Sequence, residues 1–281
     1  MKWMRSLFMA CVIVIGTIAH AQFSIHDAFK REKIVNKQGE SLPARVWHNY
    51  TPEDLPVPVI VMLHGSGECG IDNGKQLMSF KNLHKHLLLQ ENQPVMVILP
   101  QCTMQNAWVR KIAFTSDYKH PRYAAPALRI VKEHLDTLVD QGIADPDRLI
   151  IGGLSLGGFG TWDAVQRWPE TFAAAIPMCA GGSIEEAPIK AATTTSLWVF
   201  HGAADRNVNV DCSRRMVRAL GDAGAYPKYT EYPTAGHVIW DMALDDPKLY
   251  EWLFEQRRGS VTTATDPEAT STKVRTFFGL F

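Results

Sequence analysis

The stretch that decides the fold is RLIIGGLSLGGFGTW, which occupies residues 148–162. It begins with an apolar run at 148–152 that has the length and composition of a buried strand. A glycine-rich turn around Ser155 follows, and residues 161–168 are typical of a helix. Glycine two residues before and two residues after the serine allows a turn too sharp for larger side chains, which lifts the hydroxyl clear of the sheet at a helix N-terminus. The pattern predicts an exposed nucleophilic serine, and a glycine-rich helix start without that role is the alternative.

On both sides of this stretch, apolar segments of strand length alternate with amphipathic helical segments. The strand-like runs are residues 57–63, 94–100, 148–152, 172–179, 197–200 and 228–232. Apolar residues at helical spacing precede Gly142 and Gly224, which are expected to end helices. Residues 29–50 are typical of an antiparallel hairpin that turns near Gly39. The alternation predicts an α/β fold, with a mostly parallel sheet covered by helices on both faces.

A serine hydroxyl needs a base to take its proton as it attacks, and that base is oriented by a carboxylate. Where the serine lies in a strand-turn-helix context, the chain order is serine, acid, histidine. Asp205 follows the strand-like run at 197–200, and His237 follows the run at 228–232. The sequence therefore predicts Ser155, Asp205 and His237 as the catalytic residues.

Two other carboxylates remain alternatives for the acid. Asp211 and Asp241 also follow the serine in the chain, and Asp205 would then only cap its loop. His201 is the other histidine after the serine, but it lies at a strand end before a glycine. We expect it to make structural hydrogen bonds, which leaves His237 as the base.

A tetrahedral intermediate needs backbone N–H donors at its oxyanion. One donor is expected to be the amide of Leu156, directly after the nucleophile. The other is expected in the loop after residues 57–63, which reads HGSGE at 64–68. We assign it to Ser66, with Gly65 as the next choice. Ser66 itself lacks the sharp turn that would make it a second nucleophile.

The composition is that of a soluble globular chain long enough to bury an adequate core, because 46% of its 281 residues are hydrophobic. Its 29 basic side chains balance 29 acidic ones, and the sequence contains no basic cluster that could bind a phosphate backbone. We therefore expect no nucleic-acid partner. Residues 22–258 show neither an internal repeat nor a second composition, so we predict one catalytic domain.

The two ends differ from the body. Basic residues, an apolar run of about 12 residues and Ala19-His20-Ala21 make residues 1–21 typical of a signal peptide. This run is shorter than the roughly 20 residues that span a bilayer, so we expect a secreted or periplasmic protein without stable membrane insertion. Residues 259–281 are typical of a flexible tail, whose apolar end either docks on the domain, remains disordered, or contacts a partner or membrane surface.

The cysteines that remain after removal of residues 1–21 are Cys69, Cys102, Cys179 and Cys212. An oxidising compartment permits disulfides, and four cysteines allow three pairings among which the sequence does not choose. Their spacing is not a zinc pattern, and His84 and His86, two residues apart, point away from each other on a helix. We expect no metal and no cofactor.

Taken in order, several motifs resemble those of α/β hydrolases. They are residues 63–68 with Asp72-Asn73, Pro100-Gln101-Cys102 with Trp108, the turn at Ser155 with residues 160–163, His201-Gly202 with Asp205, and Ala235-Gly236-His237 with Trp240. Within that fold the chain resembles secreted feruloyl and acetylxylan esterases, polyhydroxybutyrate depolymerases, dienelactone hydrolase and the "predicted peptidase" group. Two departures are Cys69, where arginine is more usual, and Asn209, where proline is common.

The resemblance implies a serine hydrolase that cleaves carboxylic esters through an acyl-enzyme. Large lids in this fold usually follow the strand that here ends at Cys179, yet only residues 180–195 separate it from the next strand. An open site without a large lid suits a polymer-borne ester, such as a feruloyl or acetyl ester of a polysaccharide, as well as small-molecule esters. Residues 103–126 are expected to form the rim, where Trp108 and Trp240 offer aromatic faces to substrate unless they pack in the core.

Two other functions use the same features. A serine peptidase of the prolyl oligopeptidase type has the same triad, but this chain lacks room for a large gating domain. A non-catalytic binding protein on a hydrolase scaffold is a different class, and the intact triad argues against it. The ester hydrolase is the favoured interpretation.

Overall fold

The computed structural model describes residues 25–89, 93–110 and 118–260. Its strands are β1 (Lys30–Val35), β2 (Ser41–His48), β3 (Val57–Leu63), β4 (Met96–Pro100), β5 (Ala144–Leu154), β6 (Ala174–Met178), β7 (Ser196–Gly202) and β8 (Lys228–Tyr232). They form one sheet with the order β1-β2-β4-β3-β5-β6-β7-β8. Strands β3 to β8 are parallel, whereas β2 is antiparallel to both of its neighbours. The predicted, mostly parallel sheet is confirmed.

The helices are α1 (Ile25–Ala28), α2 (Lys81–Leu88), α3 (Pro126–Asp140), α4 (Leu156–Arg167), α5 (Glu186–Ala192), α6 (Asp211–Asp222), α7 (Trp240–Ala243) and α8 (Pro247–Glu255). Short 3-10 turns occur at Pro52–Asp54, Ser66–Glu68 and Lys75–Ser79. Helix α4 begins five residues earlier than the predicted 161, because tight packing against the sheet outweighs the poor helix propensity of its glycines. Helices α2, α5, α7 and α8 are short, and the apolar periodicity did not predict them.

Both faces of the sheet are buried. Alternate residues of β3 divide between the two sides: Val59 and Val61 pack with α3, α4 and α6, whereas Ile60 and Met62 pack with α2 and α8. A strand buried on both faces has no polar side to alternate with its apolar side. This explains why β3 is continuously apolar in sequence.

The predicted hairpin forms one edge of the sheet. Strand β1 pairs antiparallel with β2, and the turn between them is closed by Asn36, whose Oδ1 accepts hydrogen bonds from the N–H groups of Gln38 and Glu40. Strand β2 then pairs with β4. The parallel strands therefore lie side by side from β4 to β8.

The candidate catalytic residues follow four of these parallel strands. The loop at 64–68 follows β3, Ser155 follows β5, Asp205 follows β7 and His237 follows β8. Since the carboxyl ends of parallel strands meet at one edge of a sheet, these loops lie at the same edge. The fold thus brings together residues from distant parts of the chain.

Within the three described ranges, none of the helices has both the length and the apolar composition needed to cross a bilayer. The predicted signal peptide at 1–21 lies outside the described residues. So do most of the predicted tail, from residue 261 onward, and part of the predicted rim, at 111–117.

At the edge that carries the candidate catalytic loops, the start of α4 packs directly on the end of β3. A Cβ added at Gly157 would lie 1.9 Å from the carbonyl oxygen of Leu63. Because the obstacle is backbone rather than a flexible side chain, it cannot rotate away. By contrast, a Cβ added at Gly221 near the end of α6 would meet no atom within 4 Å.

We expect Gly157→Ala to lower the free energy of unfolding by about 3 kcal/mol or more, because α4 would have to move away from β3. The matched control, Gly221→Ala, should be neutral or stabilising by up to about 1 kcal/mol. Urea unfolding followed by tryptophan fluorescence measures both variants. Equal stability of the two would contradict the packing argument.

Candidate active site

Ser155 lies in a strained turn between β5 and α4. Its φ of 52° and ψ of −117° place it in a region that non-glycine residues rarely adopt, at a cost on the order of 1–3 kcal/mol. The turn is held by a 2.9 Å hydrogen bond from Ser155 N–H to Met178 O and a 3.0 Å bond from Phe159 N–H to Ser155 O. The serine therefore has the backbone expected of a nucleophile presented between a strand and a helix.

Asp205 and His237 are hydrogen-bonded to each other. His237 Nδ1 lies 2.7 Å from Asp205 Oδ2, and the carboxylate side chain is 0% exposed. Its other oxygen, Oδ1, accepts hydrogen bonds from the N–H groups of Asn207 and Val208 at 2.8 and 2.9 Å. The carboxyl group is thus fixed by its own loop on one side and by the imidazole on the other.

These contacts determine the charge of the acid. Burial alone would raise the pKa of Asp205, but the hydrogen bonds from His237, Val208 and Asn207 outweigh it and hold the pKa below its ordinary value. An ionised carboxylate accepts a hydrogen bond, so the proton of a neutral imidazole resides on Nδ1. The lone pair of His237 Nε2 is then available to a neighbouring hydroxyl.

The other two candidate acids have different partners. Asp211 is exposed, and its carboxylate lies 3.2 Å from the guanidinium of Arg214. Asp241 accepts a hydrogen bond from Asn82 through its backbone carbonyl. Among the described residues, the carboxylate that contacts His237 is that of Asp205.

Cys179 lies between the serine turn and the histidine loop. Met178, the residue before it, accepts the hydrogen bond from Ser155 N–H with its carbonyl oxygen. Cys179 itself donates from its Sγ to His237 O at 3.2 Å. No hydrogen bond between Ser155 Oγ and His237 occurs among the described residues. Such bonds often tighten only when substrate is bound.

The loops that carry the acid and the base touch each other directly. A Cβ added at Gly202, the last residue of β7, would lie 2.1 Å from Gly236 O. Beyond this contact, Ala204 N–H donates to Ala235 O at 2.9 Å. The glycine therefore allows the approach that brings Asp205 to His237.

His201 is a second histidine on the same carboxylate, which the sequence analysis did not anticipate. It is 0% exposed, and its Nε2 lies 3.2 Å from Asp205 Oδ2 and 3.0 Å from Val208 O. Its Nδ1 lies 2.7 Å from Ser213 Oγ. His201 lies in β7 and Asp205 in the loop after that strand, so no local sequence pattern indicated the contact. The structural hydrogen bonds expected of this histidine are present.

The two expected oxyanion donors are in adjacent segments. Leu156 is the first residue of α4, where backbone N–H groups have no acceptor within the helix. Ser66 begins the exposed 3-10 turn Ser66–Glu68. Since Gly157 packs on the carbonyl of Leu63, the start of α4 and the loop after β3 lie side by side.

The loop after β3 is held by the end of β4. Gln101 Nε2 donates to Glu68 O at 2.9 Å, and Gln101 Oε1 accepts from Asn73 N–H at 2.6 Å. His64 Nε2 accepts from Cys102 N–H at 3.1 Å, and its Nδ1 lies 2.7 Å from Gly65 O. Buried polar side chains therefore fix the segment that carries Ser66.

The expected position of Trp108 at the rim is corrected by the structure. Its side chain is 0% exposed, and its Nε1 donates to His64 O at 3.0 Å. The indole fills the space beneath the loop after β3, because a loop with a buried backbone carbonyl needs an apolar support that also carries a donor. Trp240 is half-buried, and its ring lies 5.7 Å from that of His237 in an edge-on arrangement.

Among the described residues, two groups of side chains meet the distance requirement for a metal ion, namely His64 with Cys69 and Cys102, and Cys179 with Asp205 and His237. In the first group both ring nitrogens of His64 are already used in hydrogen bonds. In the second, burial raises the pKa of the Cys179 thiol well above its ordinary value, so it is a poor metal ligand. Neither group is a favourable metal site.

Comparison with known proteins gives the following matches. The sequence profile described as phospholipase/carboxylesterase matches residues 50–250. A solved structure of a thermostable esterase is 31% identical, with a TM-score of 0.70, and the match covers 83% of this chain and 64% of that one. The feruloyl esterase module of Clostridium thermocellum, in complex with sinapinate, has a TM-score of 0.56 at 12% identity, covering 80% of this chain and 86% of that one. The latter likeness concerns the fold alone.

One curated relative is an uncharacterized secreted protein of Arthroderma benhamiae. It is 31% identical, and the match covers 37% of this chain and 14% of that protein. The chain therefore spans a small part of this relative and slightly less than two thirds of the thermostable esterase.

The buried His64 leads to a pH-dependent stability. Burial lowers its pKa from 6.5 to about 4, whereas in the unfolded chain it titrates near its ordinary value. The unfolded state therefore binds more protons between these values, and stability is lost as the pH falls from about 6.5 toward 4.

We expect the free energy of unfolding to fall by about 2–3 kcal/mol from this residue alone between pH 7.5 and 4.5. Urea unfolding at both pH values should show a smaller loss in His64→Gln, although that variant is less stable at pH 7.5. The exposed His48 provides the control, since His48→Gln should keep the full loss. The same pH dependence in His64→Gln as in the wild type would refute this assignment.

Proposed function

Because the chain belongs to the phospholipase/carboxylesterase family, we propose that it is a carboxylic ester hydrolase that works through an acyl-enzyme on Ser155. The observation that carries the proposal is the 2.7 Å contact between His237 Nδ1 and Asp205 Oδ2. This pair follows β7 and β8, whose carboxyl ends lie at the same edge of the sheet as the end of β5, where the strained serine turn begins. A buried, ionised acid that orients a histidine at the same sheet edge as such a serine is the arrangement expected for nucleophilic catalysis.

In the proposed mechanism, His237 Nε2 takes the proton of Ser155 Oγ as the oxygen attacks the ester carbonyl carbon. Asp205 stabilises the resulting imidazolium without itself taking the proton. The N–H groups of Leu156 and Ser66 donate to the tetrahedral oxyanion. The imidazolium then protonates the leaving alcohol, and a water molecule, deprotonated by the same histidine, hydrolyses the acyl-enzyme.

The surroundings of the acid suit this sequence of steps. Asp205 keeps its charge because Asn207 and Val208 donate to one oxygen while His237 donates to the other. His201 approaches the same Oδ2 from within the core. A carboxylate held from several sides does not rotate when the imidazole gains a proton, so the His237 imidazole keeps its orientation.

We propose an ester on an extracellular polymer as the substrate, with feruloyl and acetyl esters of polysaccharides as the classes to test first. The connection between β6 and β7 contains a single short helix, α5, which leaves little material for a lid. Trp240, half-buried beside His237, offers an apolar edge near the reacting atoms. A feruloyl esterase is among the proteins of the same fold.

The rest of the organisation is proposed from the sequence. We propose that residues 1–21 are an export signal, residues 22–258 the catalytic domain and residues 259–281 a C-terminal tail. Export is supported by the order of basic, apolar and small residues at the start of the chain. The curated relative described as secreted fits this proposal.

The proposed triad predicts a graded loss of activity. Ser155→Ala should abolish both labelling by a fluorophosphonate and turnover of p-nitrophenyl acetate. Asp205→Asn should lower the rate by about 10⁴-fold with the fold intact, because the imidazole loses its orienting charge. Asp211→Asn is the matched control and should remain within a few-fold of wild type. Fluorophosphonate labelling of Ser155→Ala would contradict the assignment of the nucleophile. An inactive Asp211→Asn together with an active Asp205→Asn would contradict the assignment of the acid.

The substrate class is tested by comparing methyl ferulate, p-nitrophenyl acetate and a peptide anilide on the same enzyme. Stacking adds about 0.5–1.5 kcal/mol, so Trp240→Ala should lower kcat/KM for methyl ferulate by up to about tenfold and that for the acetate much less. Met242→Ala, an exposed position on the same helix α7, is the control. Equal losses on both esters would make Trp240 structural, and faster cleavage of the anilide would identify a peptidase.

A further inference from the structure

Two cysteines from distant parts of the chain meet beneath the proposed oxyanion turn. Cys69 is half-buried and ends the turn Ser66–Glu68, with its N–H donating to Ser66 O at 3.3 Å. Cys102 is buried two residues after the end of β4. Their thiols take no part in the proposed ester hydrolysis.

The backbones on either side of the two cysteines are already joined. Gly70 N–H donates to Cys102 O at 2.9 Å, and Gln101 Nε2 donates to Glu68 O, also at 2.9 Å. The residue before Cys69 and the residue after it are therefore each bonded to the segment that contains Cys102. Neither segment has to move far for the side chains to meet.

The sulfur atoms are close as well. Cys69 Sγ, Cys102 Sγ and a ring nitrogen of His64 all lie within 4.8 Å of one another. Both side chains are free thiols in this structure. A disulfide needs the sulfurs to approach to about 2.0 Å, which rotation about the Cα–Cβ bonds can supply when the backbones are this near.

We propose that Cys69 and Cys102 form a disulfide that fixes the turn Ser66–Glu68 to the end of β4. The bond would add a covalent link beside the hydrogen bonds that Gln101 and His64 make to the same loop. Any effect of this disulfide on catalysis rests on the proposed function, because the position of Ser66 affects the rate only if its N–H binds an oxyanion. The formation of the bond does not depend on that function.

The reaction is a thiol–disulfide exchange with a small disulfide such as oxidised glutathione. The thiolate of Cys69 attacks one sulfur of the oxidant, and one glutathione thiolate leaves with the bonding electrons and takes up a proton. Cys102 then loses its proton to solvent and attacks Cys69 Sγ, which releases the second glutathione thiol. Two protein thiols are oxidised to one disulfide, and one disulfide is reduced to two thiols.

The surroundings of the two thiols indicate which of them attacks the oxidant first and which attacks second. A hydrogen bond from the Cys102 thiol lowers the pKa of Cys69, while burial raises the pKa of Cys102. Cys69 is also the more accessible of the two. It is therefore the thiol that reacts first with an oxidant from solvent.

The other two cysteines among the described residues are placed elsewhere. Cys179 Sγ donates to His237 O at 3.2 Å. Cys212 lies on α6, with its Cβ against Gly181. Among the described residues, the sulfurs of Cys69 and Cys102 lie within 4.8 Å of each other, next to a backbone hydrogen bond between their segments.

The bond is tested by peptide mapping of the folded protein. The full chain is equilibrated with oxidised glutathione or with dithiothreitol, alkylated, and digested without reduction for mass spectrometry. We expect a peptide containing residue 69 linked to one containing residue 102 in the oxidised sample only. The same link is expected in Cys212→Ala and in the inactive Ser155→Ala, so the result is independent of esterase activity. Alkylation of both thiols after oxidation, or any other pairing, would overturn the proposal.

Thermal unfolding supplies a second readout. The oxidised wild type should melt about 5–10 °C above the reduced protein, because the bond closes a long loop of the unfolded chain. Cys69→Ser, at the half-buried position, should remove this difference, and Cys212→Ala should retain it. An undiminished difference in Cys69→Ser would overturn the proposal. A fall in kcat on reduction, absent in Cys69→Ser, would connect the bond to the oxyanion turn.

Discussion

The contact on which the rest of the site depends is the packing of Gly157 against the carbonyl of Leu63. It holds the start of α4 directly on the end of β3, which is closer than any side chain would allow. It puts the loop at 64–68 beside the N-terminus of α4, directly after the strained turn at Ser155. The candidate nucleophile, the first amides of α4 and the second proposed donor are therefore parts of one packed unit.

A buried charge organises the other half of the site. Isolation of the Asp205 carboxylate from water is unfavourable, and the structure compensates with hydrogen bonds from Asn207, Val208 and His237, while His201 approaches from the core. Removing one donor would leave an undersatisfied charge, so the loop after β7 and the loop after β8 stabilise each other. The close approach at Gly202 is the geometric condition for this arrangement. Stability and the orientation of the histidine thus depend on the same contacts.

Polar groups beneath the oxyanion turn form a third unit. Gln101 and His64 bond the loop after β3 to the end of β4, and Trp108 supports it from the core with a hydrogen bond to His64 O. Cys69 and Cys102 lie within this unit. If Ser66 is the proposed donor, its loop must hold its backbone within a fraction of an ångström, and buried side chains hold it more rigidly than exposed contacts would.

The sequence by itself determined the sheet and the candidate triad, because both depend on local patterns: continuous apolar runs for β3, the glycines around Ser155, and the order of Asp205 and His237 after their strands. Tertiary structure decided the rest. Packing in the folded chain determines that α4 begins at Leu156 and that Trp108 is buried. It also brings His201 into contact with Asp205 and Cys69 close to Cys102. Strand and turn patterns arise from residues that are neighbours along the chain. Burial and side-chain pairing depend instead on which segments the strand order places side by side, and local sequence patterns do not reveal that order.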